Sequence, residues 1–323
     1  MKRRDFITLL GGAAAAWPLS ARAQQAGRRR LVGALFLADD PQYAPALQEE
    51  LRRLGWVEGR NLQIDYRFSG GDLGHATANA MALVNLGPDV IFVIGGPAVQ
   101  AVQQYTQTIP IVFVGGGDVS NSNLTGGITR PVGNTTGFAN VFDSEGGKWV
   151  ELLKDAAPGI TRIAHITNFD TLSSELAANI EAAAAKLAIT MVRMPYRNDA
   201  AEMQRAINEF ALEPNGALLI SGVRPATAIF DAVLRQAVQH RLPTMGALRR
   251  VQEGLLMSYG PDFLDLIRGA ASDIDRILHG AKPTELPVQF PTKIPLVINL
   301  RTAKAIGLEI PPTMLLRADE VIE

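Results

Sequence analysis

The chain has 323 residues, 47% hydrophobic and 20% charged, which suits one large or two ordinary globular domains with a real core and excludes a disordered or fibrous chain. Its 31 basic and 32 acidic residues nearly cancel, so no basic surplus is available to grip nucleic acid or an anionic membrane. Cysteine is absent and the four histidines, His75, His165, His240 and His279, match no ligand spacing, which excludes disulfides, thiolate chemistry and cysteine lipidation and argues against a histidine metal site.

The N-terminus reads as an export signal. Lys2, Arg3 and Arg4 form a basic start, Phe6 to Leu19 is apolar or small, and Ala21-Arg22-Ala23 is an A-x-A cleavage site that leaves Gln24 first. The apolar run of about 14 residues is short for a bilayer span, which needs roughly 20. Arg3-Arg4-Asp5-Phe6 resembles the twin-arginine motif; an ordinary secretory signal with adjacent arginines is the alternative. Gln24 to Arg30 reads as a polar lead-in.

From there strand and helix alternate. Leu31 to Leu37 is an uninterrupted apolar run, the mark of a strand covered on both faces. Pro45 to Leu54 has helical spacing, Asn61 to Phe68 alternates as a strand, and Leu73 to Leu86 is a helix stopped by Gly87-Pro88. Asp89 to Ile94 is a second buried strand. Gly95-Gly96-Pro97 turns into a helix through Gln107, and Ile109 to Val114 is a third strand. The rhythm restarts after residue 140. Helices are predicted over 144–156, 173–187, 200–210 and 225–240, and strands over 162–167, 189–194, 216–220 and 243–248. The last third has a strand over 255–260, a long helix over 261–279, proline-punctuated segments at Pro283, Pro287, Pro291 and Pro295, and a strand over 296–300. This predicts an α/β fold of two doubly wound lobes, with crossings near 119–143, 255–260 and 291–297 that act as a hinge.

In open α/β sheets ligands sit beyond the carboxyl ends of the strands. Those ends carry Asp39 and Asp40, Gly95-Gly96-Pro97, and Gly117-Asp118 in the first half, and Asn168-Phe169 and Ser221-Gly222 in the second. Glycine permits close backbone approach, and helix N-termini favour an anion such as a carboxylate; a turn is the plainer reading of each loop. Asp118 ends a strand on this edge, where it either pairs with a ligand ammonium or caps a turn. Tyr43, Phe169 and Tyr259 are candidates for stacking on a flat ligand or for ordinary packing. Glu49, Glu50, Asp262 and Asp265 read as solvated helix carboxylates.

No GxSxG, P-loop or GxGxxG is present, and the first βα turn, Leu37 to Asp40, lacks glycine. No catalytic residue, metal or cofactor is expected. A secreted α/β hydrolase or dehydrogenase is therefore the weaker alternative.

Leu255 to Asp262 (LLMSYGPD) and Leu296 to Glu323 (LVINLRTAKAIGLEIPPTMLLRADEVIE), with Asp39-Asp40-Pro41, Ile109 to Asp118, Val132 to Phe138 and Ile274 to Thr292, resemble ABC-importer substrate-binding proteins. The similar subfamily includes proteins that bind tryptophan and other aromatic amino acids. The resemblance covers the mature chain and implies a type I periplasmic-binding-protein fold: two Rossmann-like lobes, a multi-strand hinge and a ligand in the cleft. It divides the chain into an export signal over 1–23, a first lobe over 31–141 plus 258–292, and a second over 142–257 plus 293–323. It implies a monomeric periplasmic protein that captures a small amphiphilic ligand, with Asp39, Asp40, Gly95, Gly96, Pro97, Gly117, Asp118, Asn168, Phe169, Ser221, Gly222 and Tyr259 around it. The implied partners are an ABC permease and its ATPase subunit, with no nucleic acid. A binding protein reporting to a membrane receptor shares these features. Two departures stand out: Val119-Ser120 where the family has proline after the aspartate, and Ile294-Pro295 where it has Phe-Glu.

Overall fold

The computed structural model describes residues 29–37, 40–115, 125–127, 129–140, 145–169, 172, 174–197, 199–221, 227–247 and 251–323; the export signal lies outside them. The first half builds a parallel sheet of β1 (Arg30–Phe36), β2 (Leu62–Phe68), β3 (Val90–Ile94), β4 (Ile111–Val114) and β5 (Thr135–Phe138), in the order β2-β1-β3-β4-β5. Between them run α1 (Tyr43–Arg53), α2 (Leu73–Asn85) and α3 (Gly96–Gln103). The second half builds a sheet of β6 (Arg162–Thr167), β7 (Thr190–Pro195), β8 (Gly216–Ile220), β9 (Thr244–Gly246), β10 (Met257–Tyr259), β11 (Leu296–Asn299) and β12 (Glu320–Ile322). Its order is β12-β11-β10-β9-β8-β6-β7, and β10 and β11 are antiparallel while the other pairs are parallel. Its helices are α4 (Glu145–Ala156), α5 (Ser174–Lys186), α6 (Ala200–Phe210), α7 (Thr227–Gln239), α9 (Leu300–Ile306) and α10 (Pro312–Leu315), while α8 (Phe263–Leu278) returns to the first sheet. No helix among the described residues is long and apolar enough to cross a membrane.

Both sheets are covered on both faces, which is why the inner strands read as unbroken apolar runs. In β1 the side chains alternate between two cores. Val32, Ala34 and Phe36 meet α1 and α8, and Leu35 meets α2 and α3. α8 contributes Leu266, Ile267, Ala270, Ile274 and Ile277 to the first of these. Each large side chain so buried contributes on the order of 1.5–3 kcal/mol.

Several elements differ from the sequence reading. Arg30 is not lead-in but the first residue of β1, its guanidinium 2.8 Å from Asp89. α3 stops at Gln103, short of Gln107, because the Thr106 hydroxyl accepts the N–H groups of Thr108 and Ile109 at 3.3 and 3.1 Å and turns the chain. α8 begins at Phe263, and Asp262 caps it by accepting the Leu264 N–H at 2.9 Å. β5, TTGF, carries no apolar run. Its buried threonines are satisfied by polar partners instead: Gln103 donates to Thr135 at 2.9 Å, and Thr136 donates to the Leu286 carbonyl at 2.6 Å. β12 and the short helices α9 and α10 went unread because each spans only a few residues.

The chain changes sheets three times, each time on the edge where the first-sheet strands and β10 end. β5 leads into α4, whose Trp149 indole donates to the Tyr259 carbonyl at the end of β10. β10 leads through Gly260 to Asp262 into α8, whose first residue, Phe263, lies beside Gly115 at the end of β4. Gln289 pairs with β5 in parallel, and the chain then enters β11, whose Leu296 stands opposite Tyr259. Gly260 is required at the second crossing, because a methyl group there would collide with the Ala247 carbonyl oxygen.

Asp273, on α8, is 2% exposed, and its Oδ2 has no hydrogen-bond partner. Burial pushes its carboxyl up to about 6 from 3.8, and Arg276 only partly opposes this. The folded state thus favours the protonated acid: the stability it contributes is complete below about pH 3.8 and is lost as pH rises through about 6. At about 1.4 kcal/mol per pH unit, Asp273→Asn is expected to be about 1–3 kcal/mol more stable than the native chain near pH 7.5 and no more stable near pH 4, measured by denaturant unfolding. Equal stability near pH 7.5 contradicts this.

Candidate functional site

Because the crossings lie on the edge where the first-sheet strands and β10 end, the two sheets meet along that edge. Of the sequence-predicted residues, Asp39, Gly117, Asp118 and Gly222 lie outside the described residues. Asp40 follows β1 and accepts the Gln42 N–H at 2.9 Å, shaping the entry to α1. It lines a cavity of about 310 Å³ whose other walls include Tyr43, Asp262 and Phe263 from the first lobe and Gln252, Glu253 and Glu320 from the second. Tyr43 and Phe263 stack on each other there, with centroids 5.8 Å apart and planes 15° apart. Asp262 is therefore not simply a solvated helix carboxylate. Glu49 and Asp265 are: Glu49 pairs with Arg52 at 2.8 Å, a bond that holds its carboxyl down at about 2, and Asp265 pairs with Arg268. None of the other described candidates lines this cavity.

Gly95 and Gly96 follow β3. Gly95 has φ 104, and a Cβ there would press on the Leu37 side chain at 2.9 Å. This corrects the idea that these amides await an anion. Gly95 N–H donates to the Val114 carbonyl at 3.0 Å, Gly96 N–H to Gly115 at 3.1 Å, and Ala98 N–H to Gly95 at 3.0 Å. Pro97 has no N–H. The start of α3 is closed by its own backbone.

In the second lobe two candidates meet at one buried histidine. Ser221, just past β8, lies 2.7 Å through its hydroxyl from His165 Nε2, both side chains buried. Phe169, just past β6, sets its ring edge-on to His165 at 5.5 Å. The other neighbour of that ring is Arg193 on β7, whose guanidinium carbon is 4.2 Å from the centroid. Burial, and then the Arg193 charge, push His165 down to about 4, so it is neutral at ordinary pH. Thr167 ends β6 with a buried hydroxyl that has no hydrogen-bond partner. Asn168 is half-buried between them in sequence. Tyr259 packs partly into the second core, and its hydroxyl is raised by burial and by the Glu145 and Asp319 carboxylates. Among the described residues no three acidic or histidine side chains are grouped to hold a metal.

Sequence reasoning missed Arg193 and His165. Both lie inside strands, where the pattern carried only a fold signal, and their pairing depends on the β6–β7 register that sets His165 beside Arg193.

A family model described as ABC transporter substrate binding protein matches residues 41–322. A tyrosine-binding protein of Clostridioides difficile (strain R20291) is 23% identical over 292 residues, 87% of this chain and 82% of that one. A conserved domain protein of Vibrio cholerae O1 biovar El Tor superposes with TM-score 0.79 at 28% identity, covering 91% of this chain and 100% of that one. An ABC domain from Streptococcus pneumoniae in complex with L-Trp also gives 0.79, at 23% identity and with the same coverage.

The buried neutral His165 has a pH signature opposite to that of Asp273. Its folded pKa, about 4, is below the ordinary 6.5, so its contribution is complete above pH 6.5 and is lost as pH falls toward 4. His165→Gln keeps a nitrogen to bond Ser221 but does not titrate. Between about pH 7.5 and 5 the native chain should lose about 2 kcal/mol more stability than this variant, read from paired unfolding curves. Parallel losses would mean that His165 is protonated in the fold.

Proposed function

The chain belongs to the family of ABC transporter substrate-binding proteins, which bind solutes and are typically exported, and on that premise we propose that it captures an aromatic or similarly amphiphilic amino acid for an ABC importer. The export signal over 1–23 directs it to the periplasm, by the twin-arginine route, with cleavage after Ala23. Ligand taken up between the lobes is passed unchanged to a permease served by an ATPase subunit. The observation that carries this reading is the opposition of the two carboxyl edges, which puts loops from both lobes around one cleft, in a chain related to a tyrosine-binding protein.

Asp118, four residues past β4 in sequence, is assigned to the ligand ammonium. A charge enclosed in a cleft needs a partner, since an unpaired buried carboxylate is costly. Losing one side of such a pair typically costs about 2–5 kcal/mol.

Titration calorimetry with L-tyrosine and L-tryptophan on the mature chain tests this. Saturable one-to-one binding of at least one is expected, weakened about 30-fold or more by Asp118→Asn and less than about threefold by Glu49→Gln, whose carboxylate is solvated. Failure of both amino acids, with a different class of molecule found by mass spectrometry to copurify, removes the amino-acid reading. Unchanged affinity in Asp118→Asn removes that residue from the site.

A further inference from the structure

We propose that Arg193 is the receptor for the ligand's carboxylate and fixes its orientation between the lobes. The inference deepens the amino-acid reading and rests on it.

A carboxylate taken out of water needs hydrogen-bond donors. Among the described residues at the ends of β3 and β4, the backbone donors are already engaged. The amides of Gly95, Gly96 and Ala98 are all bonded within the chain, Pro97 has none, and Gly115 N–H donates to the Phe138 carbonyl at 2.9 Å.

The second lobe offers an exposed cation beside the residues that follow β6. Arg193 lies on the edge strand β7, in register with His165 and two residues from the strand's carboxyl end. Among the described residues no carboxylate lies within 4 Å of its guanidinium. Its contact is the face of Phe169, at 4.2 Å. A cation–π contact of this kind does not use up the guanidinium N–H groups, the fork that takes a carboxylate through two bonds. An arginine held this way is oriented without being neutralised.

The platform beneath it is pinned. Phe169 abuts His165 edge-on, and His165 is bonded to the Ser221 hydroxyl. The histidine adds no charge of its own, so the guanidinium is the cationic group of this cluster. The first-lobe candidates Asp39, Asp40 and Asp118 are carboxylates. Of these, Asp40 lies just past β1 on the cavity wall, so a zwitterion between the lobes is offered a carboxylate by the first lobe and, on this proposal, the guanidinium by the second.

The test is calorimetry on the full mature chain with two pairs of probes, L-tryptophan with tryptamine and L-tyrosine with tyramine. Each amine lacks only the carboxylate. Arg193→Gln is expected to weaken the amino acids about 30-fold or more and to leave the amines within threefold. Arg193→Lys, which keeps the charge but not the fork, is expected to recover about tenfold of the loss. A thermal unfolding midpoint for Arg193→Gln within a few degrees of the native one is expected. Equal losses for amino acid and amine, or unchanged amino-acid affinity in Arg193→Gln, overturns the assignment. Binding of neither amino acid by the native chain overturns the reading beneath it, and that result is visible before any variant is made.

Discussion

The chain passes from one sheet to the other three times, each time on the edge where the first-sheet strands and β10 end; β11, antiparallel to β10, is entered there at its amino end. A parallel strand can be followed by another in its own sheet only after a crossover. At residues 139–144, 260–262 and 290–295 the crossover is replaced by a step to the other lobe. Each step brings the loops of one sheet toward the loops of the other, so the cleft follows from the topology. Close packing at these steps is tight. Gly260 has no room for a methyl group beside the Ala247 carbonyl, and the Trp149 indole ties α4 to the end of β10 at 2.7 Å. A rotation of the lobes about these steps would be absorbed by a few backbone positions, as hinge motions are.

The two lobes are asymmetric in charge and in donors at this edge. On the first, the described amides at the ends of β3 and β4 are already bonded, and the candidate side chains are acidic. On the second, a serine hydroxyl bonds a buried neutral imidazole, and an arginine lies against the phenylalanine beside it. Each lobe also holds a buried titratable group whose preferred state is neutral, Asp273 in the first and His165 in the second. Their contributions run in opposite directions across the same mildly acidic range. These two contributions therefore offset one another in part.

Much of the fold was legible because parallel strands covered on both faces must be apolar throughout. β6, α6 and β8 fall on the residues read from sequence, Arg162–Thr167, Ala200–Phe210 and Gly216–Ile220. β5 was not legible, since its threonines are buried through hydrogen bonds rather than through apolar character. The candidate loops were legible because strand ends in such sheets are predictable; Asp40, Phe169 and Ser221 lie just past β1, β6 and β8. The site was not legible as contacts. Nothing in the sequence announces that Arg193 lies over Phe169, because that depends on strand register, or that the Gly95 and Gly96 amides are already used.

The central claim is that the facing edges close on ligand by rotation about the three crossings. β2 and β7 are the sheet edges farthest from those crossings, so the loops beside them travel furthest. The chain has no cysteine, so Leu73→Cys and Ala201→Cys, at the exposed starts of α2 and α6, accept one spin label each. Their separation, measured by pulsed electron resonance, should shorten on adding saturating L-tyrosine or L-tryptophan and narrow in distribution. An unchanged separation under conditions where calorimetry registers full binding would contradict the account.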